Sequence, residues 1–417
     1  MPLNPAVALG DTGTPGTAQP EHPLIGLATL TTLAFQGVDL TPLAQQSMDR
    51  AVRDLGDANA LMDLSTILLL RDLKDAGLAM QRHALDVARC YQIGSALPTA
   101  IRLLAITTAG DLMTNAPLPF LFENGDVTLT MLYVLPGEGL PQQLPPHDVL
   151  FVAISQSDRT SGLLDELSQA LAGWRGPLLN TPAGIANTSR ARAWQQLAGY
   201  CGLVMPATAR ASRAQLCSLL AGDISLPTLL ADGVFPLIIR PVDSHAGNGL
   251  ERLSNPPDLA LYLDSHDAEA FFISRFIDYR SSDGLYRKYR VALIDGRPFA
   301  AHMGLSSHWM IHYLNAGMTE SAEKRAEEAH FMAHFDAGFG HRHAAALAKV
   351  AQRIGLDYLV LDCAETLAGE LLVFEMDPGA VVHSMDPDEM FPYKRPAMAR
   401  LYQAFRALLA RAAGPSH

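Results

Sequence analysis

Leu356 to Gly379 reads "LDYLVLDCAETLAGELLVFEMDPG". Two apolar, β-branched and aromatic runs flank a short polar break, the pattern of two strands joined by a tight turn. With Ala368-Gly369 as a two-residue turn, strand partners pair symmetrically about it, and Asp362 faces Glu375. Asp377 lies two residues further along and points to the same face, whereas Met376 points to the other, into the core. Like charges opposite one another weaken a sheet, and buried carboxylates carry a large desolvation cost. Something cationic must offset them. A divalent ion such as Mg²⁺, which takes hard oxygen ligands, would do so, and so would arginine partners or open solvent.

Outward from this hairpin, the chain of 417 residues is long enough for about two to three domains. Apolar residues make up 49%, sufficient for a substantial core. Lys and Arg number 31 against 43 Asp and Glu, a net charge of −12, which argues against a general nucleic-acid binder. Cys90, Cys201, Cys217 and Cys363 stand far apart, without CxxC spacing. That excludes a recognisable zinc or disulfide framework and suits a reducing cytoplasm. No stretch reaches the roughly 18 apolar residues of a membrane span, and the Pro-, Gly- and Thr-containing residues 1–23 read as a disordered lead-in rather than a signal peptide.

Residues 24–97 carry helical spacing: Leu43, Met48, Val52 and Leu55, then Ala76, Met80, Ala84 and Val87. Thr41-Pro42 reads as a helix start, and a turn falls near Arg71–Lys74. The last helix is expected to run to "CYQI". Residues 98–208 alternate strands ("AIRLLAITTAG", "VTLTMLYVLPG", "HDVLFVAIS", "GPLLN") with helix signals, which predicts a small α/β domain on a parallel sheet. Residues 209–412 form a longer α+β region. There "FPLIIRP" is a strand ending at Arg240, followed by the loop "DSHAGNG" with Ser244, Gly247 and Gly249. Such a loop is either a plain hairpin turn or a cradle that brings backbone N–H groups close to a phosphate.

Taken in order, these motifs resemble the ATP-grasp superfamily of carboxylate ligases, in the style of glutathione synthetases and RimK-type ligases, from about Thr99 to Leu401. "PLIIRP" is similar to the family's phosphate-binding strand, "DSHAGNG" to its glycine loop, and "AFFISRFID" to the strand that reads adenine, with Ser274, Arg275, Phe276 and Ile277. "RKYRVALIDGRPFAAHM" resembles its D/K-x-R-V hairpin, "HYLNAGM" its acceptor loop, and "VLDCAE…LLVFEMDPG" its metal-binding strands. The resemblance implies an ATP-grasp fold preceded by the small α/β domain and the helical region. It implies ATP and two Mg²⁺ ions, the metals on Asp362, Glu375 and Asp377, and an acyl-phosphate intermediate. Arg290, His312 and Asn315 would act on the substrates, and a small-molecule or peptide carboxylate would be joined to an amine. His302, His308 and His383 would shape the second substrate's site. A homo-oligomer is left open. The helical region weakly resembles one tetratricopeptide helix pair.

This sequence departs from the family pattern at several positions. Arginines stand where the family's two phosphate-side lysines are expected, at Arg240 and at Arg190 or Arg192. Asp377 replaces an Asn, His312 an Arg, and Ser274 and Arg275 stand where Glu or Gln is usual. A catalytically degenerate nucleotide scaffold and a kinase of the same fold are therefore the alternatives to a ligase.

Overall fold

The computed structural model describes residues 22–122, 125–242, 249–311 and 316–414. The protein is a mixed α/β and α+β chain with sheets of five, four and five strands.

Helices α1 (Leu27–Phe35), α2 (Thr41–Arg53), α3 (Ala58–Leu70) and α4 (Lys74–Val87) come first. The turn near Arg71 falls where the sequence placed it. Small residues bring these helices together: a Cβ at Gly77 would lie 2.7 Å from Leu69 Cγ, and Ser65 Oγ donates to Gly77 O at 2.8 Å. On α2 the buried residues are Ser47 and Ala51, while Met48, Val52 and, just past its end, Leu55 are exposed. Of the apolar stripe read from the sequence, Leu43 packs on the Leu30, Leu40 and Ile67 cluster, and the rest of the packed face is made by small side chains.

The last helix does not reach "CYQI". Ala88 turns extended, and Cys90–Ile93 is strand β1, antiparallel to β3 (Val127–Tyr133) with Tyr91 buried. An aromatic and a β-branched residue in four suit a sheet edge better than a fifth helical turn. β2 (Ile101–Thr107), β4 (Val149–Val152) and β5 (Leu178–Leu179) complete this sheet, in the order β1-β3-β2-β4-β5, with β2 to β5 in parallel pairings as expected. α5 (Ser161–Ala170), α6 (Pro182–Ala186) and α7 (Arg190–Leu197) follow.

The four-stranded sheet, β7-β10-β8-β9, comprises β7 (Thr208–Ser212), β8 (Leu237–Pro241), β9 (Glu251–Leu253) and β10 (Ala270–Arg275). α8 (Arg213–Ala221), α9 (Leu226–Leu229) and α10 (Pro256–Ser265) accompany it. The large sheet runs β12-β11-β13-β14-β6. Its strands are β6 (Leu203–Val204), β11 (Tyr286–Ile294), β12 (Arg297–Ser306), β13 (Tyr358–Glu365) and β14 (Leu371–Asp377), with α11 (Ala322–Ala333), α12 (Phe339–Arg342), α13 (Ala344–Ile354) and α14 (Lys394–Ala413) around it.

One face of the large sheet, with Val291, Leu361, Cys363 and Met376, enters the main core. Part of the other face, with Ala292, Ile294, Tyr358 and Val360, packs on α14 together with Leu103, Val149 and Phe151 of the parallel sheet. Phe405 of α14 meets both Phe151 and Tyr358. The small α/β sheet and the large sheet thus share one hydrophobic layer. β6, from the stretch read as the small domain, pairs in parallel with β14.

Candidate functional site

Beyond the part covered by α14, the same face of the large sheet turns charged. The register lines up four polar residues across four strands: His302 opposite Arg290, Arg290 opposite Asp362, and Asp362 opposite Glu375. Directly opposed residues project from one face, so this is a continuous row. A register shift adjoins the row on each side, after Arg290 on β11 and after Asp362 on β13. Bulges of this kind re-aim side chains and favour the neighbourhood of active sites.

The Asp362–Glu375 pairing agrees with the sequence, but the turn does not. Thr366 N donates to Glu370 O, which leaves three loop residues, with Gly369 left-handed at φ 78°. The bulge at Phe374 then shifts the register back by one residue, which restores the expected partner.

Asp362 is almost enclosed, its side chain 2% exposed. Arg290 grips it with both prongs, Nε to Oδ1 at 2.7 Å and Nη2 to Oδ2 at 2.9 Å, while Nη1 donates to Val381 O at 2.8 Å. Lys288 Nζ adds a contact to Oδ2 at 2.7 Å. Burial alone would raise the Asp362 carboxyl, but the charges of Arg290 and Lys288 outweigh it and hold the group well below the usual carboxylate range. Glu375 is half exposed and receives Arg190 Nη2 at 3.2 Å. Burial, then the Glu375 charge, pushes Asp377 up to about 6, although Gly379 N–H donates to its Oδ1 at 2.7 Å. A Cβ on Gly379 would stand 2.1 Å from Ser155 Oγ and 3.1 Å from Asp377 Oδ1. A side chain there would displace the Ser155 hydroxyl and crowd Asp377.

From the four-stranded sheet, Arg240 at the end of β8 comes within reach of the same charges. Burial first, and then the Arg190 charge, lowers its guanidinium to about 10, with Glu375 acting in the opposite sense. Its guanidinium lies 5.6 Å from the Phe272 ring centre. Arg192 is exposed on α7, two residues from Arg190 and so on a different face of the helix. Ser274 and Arg275 lie on β10 opposite Ile238 and Leu237, and Phe276 N donates to Pro236 O at 2.8 Å. Phe276 is buried under the Arg252 guanidinium, and Ile277 packs on the main core. Gly249 is left-handed at φ 65°, and a Cβ there would lie 2.8 Å from Pro241 Cδ. Ser244, Gly247, His312 and Asn315 lie outside the described residues.

At the other end of the row, His302 and His383 are buried, with ring centres 4.6 Å apart, and Phe35 of α1 lies 5.6 Å from His383. Burial lowers His383 to about 4, against the pull of Asp386. Burial and the neighbouring charges of His383, Lys394 and Arg290 hold His302 well below its ordinary value. Beneath them Lys394 bridges Asp386 at 2.8 Å and Glu328 at 3.3 Å. His308 is exposed.

Lys288 was not singled out from sequence, although it stands two residues before Arg290, and in a strand that period places both on one face. Among the described residues, no three His, Cys, Asp or Glu side chains group as a metal site. Of the three expected Mg²⁺ ligands, Glu375 and Asp377 stand two residues apart on β14 and point to one face. Asp362 does not fit, since three cationic N–H donors already occupy its oxygens.

No protein-family model and no curated protein matches the chain. Solved structures that align with it include the VanG D-Ala:D-Ser ligase of Enterococcus faecalis, at 11% identity over 75% of this chain and 100% of that one, with a TM-score of 0.44. A RimK domain ATP-grasp protein of Sphaerobacter thermophilus aligns at 12% identity over 74% and 99%, TM-score 0.40. The D-alanine–D-alanine ligase of Bacillus anthracis, solved with ATP, aligns at 12% over 73% and 99%, TM-score 0.41. Likeness this distant transfers no function. No described helix is long and apolar enough to cross a membrane.

Proposed function

We propose that the chain is an ATP-dependent ligase of the ATP-grasp kind, which activates a carboxylate as an acyl phosphate and joins it to an amine. The observation that carries this reading is the convergence of Arg190 from α7, Lys288 and Arg290 from β11 of the large sheet, and Arg240 from β8 of the four-stranded sheet on the same carboxylates. Four partly exposed cations against the three carboxylates Asp362, Glu375 and Asp377 leave positive charge that suits a polyanion.

In this reading Arg190 and Arg240 receive the nucleotide phosphates, and β10 lies beside the base. The substrate carboxylate attacks the γ-phosphorus and ADP leaves; the amine then attacks the acyl carbon and phosphate leaves. Preorganised cations stabilise the oxygen charge that develops in both steps. Mg²⁺, when bound through Glu375 and Asp377, would neutralise phosphate oxygens. His302 and His383, kept neutral by burial, line the opposite end of the row, where they suit contact with an uncharged acceptor amine.

The test is a thermal-shift titration with Mg²⁺ and ATP, followed by ADP release with amino acids and short peptides as candidate substrates. ATP with Mg²⁺ raises the melting temperature of the native chain, and Glu375→Gln removes that shift while leaving the unliganded melting temperature nearly unchanged. No shift in the native chain, or a full shift in the variant, would sink the reading.

A further inference from the structure

Resting on the ligase reading, we propose that Asp362 is not a metal ligand in this chain but the buried counter-ion that sets Lys288 and Arg290 as a paired receptor for a phosphate-class anion. The exposures are the first argument: Asp362 is 2% exposed, whereas Lys288 and Arg290 are 24% and 27% exposed, so the cations and not the carboxylate face the open side. The second is donor arithmetic. Arg290 has five N–H groups and directs three to Asp362 and Val381; Lys288 has three and directs one to Asp362. Two N–H groups on each side chain remain for a ligand.

Charge supplies the third argument. One carboxylate already holds two cations, so the unit is net positive, and a divalent ion brought onto Asp362 would meet both at contact distance. An anion meets the opposite situation. The bidentate grip also fixes the plane of the Arg290 guanidinium, and register holds Arg290 opposite Asp362, so the pair is preorganised before any ligand arrives. Asp362 acts through the two cations and is a positioning residue.

Two titrations test this on the full chain. In the first, with EDTA present, inorganic tripolyphosphate is titrated calorimetrically. Asp362→Asn and Lys288→Met each weaken its binding by at least about tenfold, the scale of one lost charge-assisted hydrogen bond. In the second, Mn²⁺ is titrated by electron paramagnetic resonance in the presence of a non-hydrolysable ATP analogue. Asp362→Asn and Lys288→Met leave Mn²⁺ affinity within about twofold, while Glu375→Gln lowers it by more than about tenfold. Lys288→Met, partly exposed, keeps the test open if Asp362→Asn does not fold.

Three results would overturn the proposal: Mn²⁺ lost in Asp362→Asn as fully as in Glu375→Gln, Mn²⁺ affinity raised severalfold in Lys288→Met, or tripolyphosphate binding untouched by either variant. If the native chain takes no Mn²⁺ with nucleotide, the ligase reading falls, and the tripolyphosphate series still decides this one.

Discussion

Arg290 shows how much one side chain decides. Its fork spans both oxygens of Asp362 and the carbonyl of Val381 at once, which ties β11, β13 and the segment after β14 together. Lysine at this position keeps the charge but not the fork. Arg290→Lys is expected to lower stability by about 1–3 kcal/mol through the unpaired partners, measured by urea denaturation. His383 makes a second prediction at this scale. Its folded value of about 4 lies below the ordinary 6.5, so the unfolded chain takes up the proton first. Its contribution to stability is present above pH 6.5 and is lost as pH falls through about 4. Asp63, raised to about 6 by burial, works in the opposite sense over much of that window. The readout is therefore the difference between the native chain and His383→Gln. Between pH 7.5 and 4.5 that difference moves against the native chain by roughly 1–3 kcal/mol; a flat difference contradicts the assignment.

At the scale of elements, the β13–β14 hairpin and its exit separate folding from function. Gly369 has no neighbour that a Cβ would strike, but its left-handed backbone disfavours a side chain. Gly369→Ala is expected to cost about 1 kcal/mol by denaturation and to leave ATP binding intact. Gly379→Ala has the opposite profile. Its methyl would displace Ser155 Oγ and crowd the Asp377 carboxylate, so the change falls on a residue of the site. Nucleotide-linked thermal stabilisation falls more steeply than stability itself; equal loss of both would mean that Gly379 serves packing alone. The hairpin was legible because alternation survives in sequence: Asp362, Glu375 and Asp377 share one face and Met376 takes the other. The turn was not, because a three-residue loop and a compensating bulge return the same pairing as a two-residue loop and none.

Across the whole molecule, α14 is the joint. Its Phe405, fully buried, packs on Phe151 of the parallel sheet and Tyr358 of the large one. Truncating it opens a cavity in a layer that both sheets share. Phe405→Ala is expected to cost about 3–5 kcal/mol and to lower protection in both sheets together, read by hydrogen exchange. Loss confined to one sheet would show that the two are energetically separate. The N-terminal helices belong to the same assembly. Asp63 on α3 accepts from Ile25 N and Gly26 N, both at 2.9 Å, at the start of α1, and α1 ends at Phe35 beside His383.

By itself the sequence determined the periodic features: most of the longer strands, which face each carboxylate of the hairpin takes, and the helical turn near Arg71. These follow from side-chain period and local turn chemistry, which neighbouring residues alone specify. Only the tertiary structure decided the partners. It set His302 and Arg290 in line with the Asp362–Glu375 pair, brought Arg190 and Arg240 from separate elements, and made Cys90–Ile93 a sheet edge. The reason is that charge compensation is a property of space. A buried carboxylate requires a cation within a few ångströms, and the chain can supply one from 72 or 185 residues away as readily as from next door.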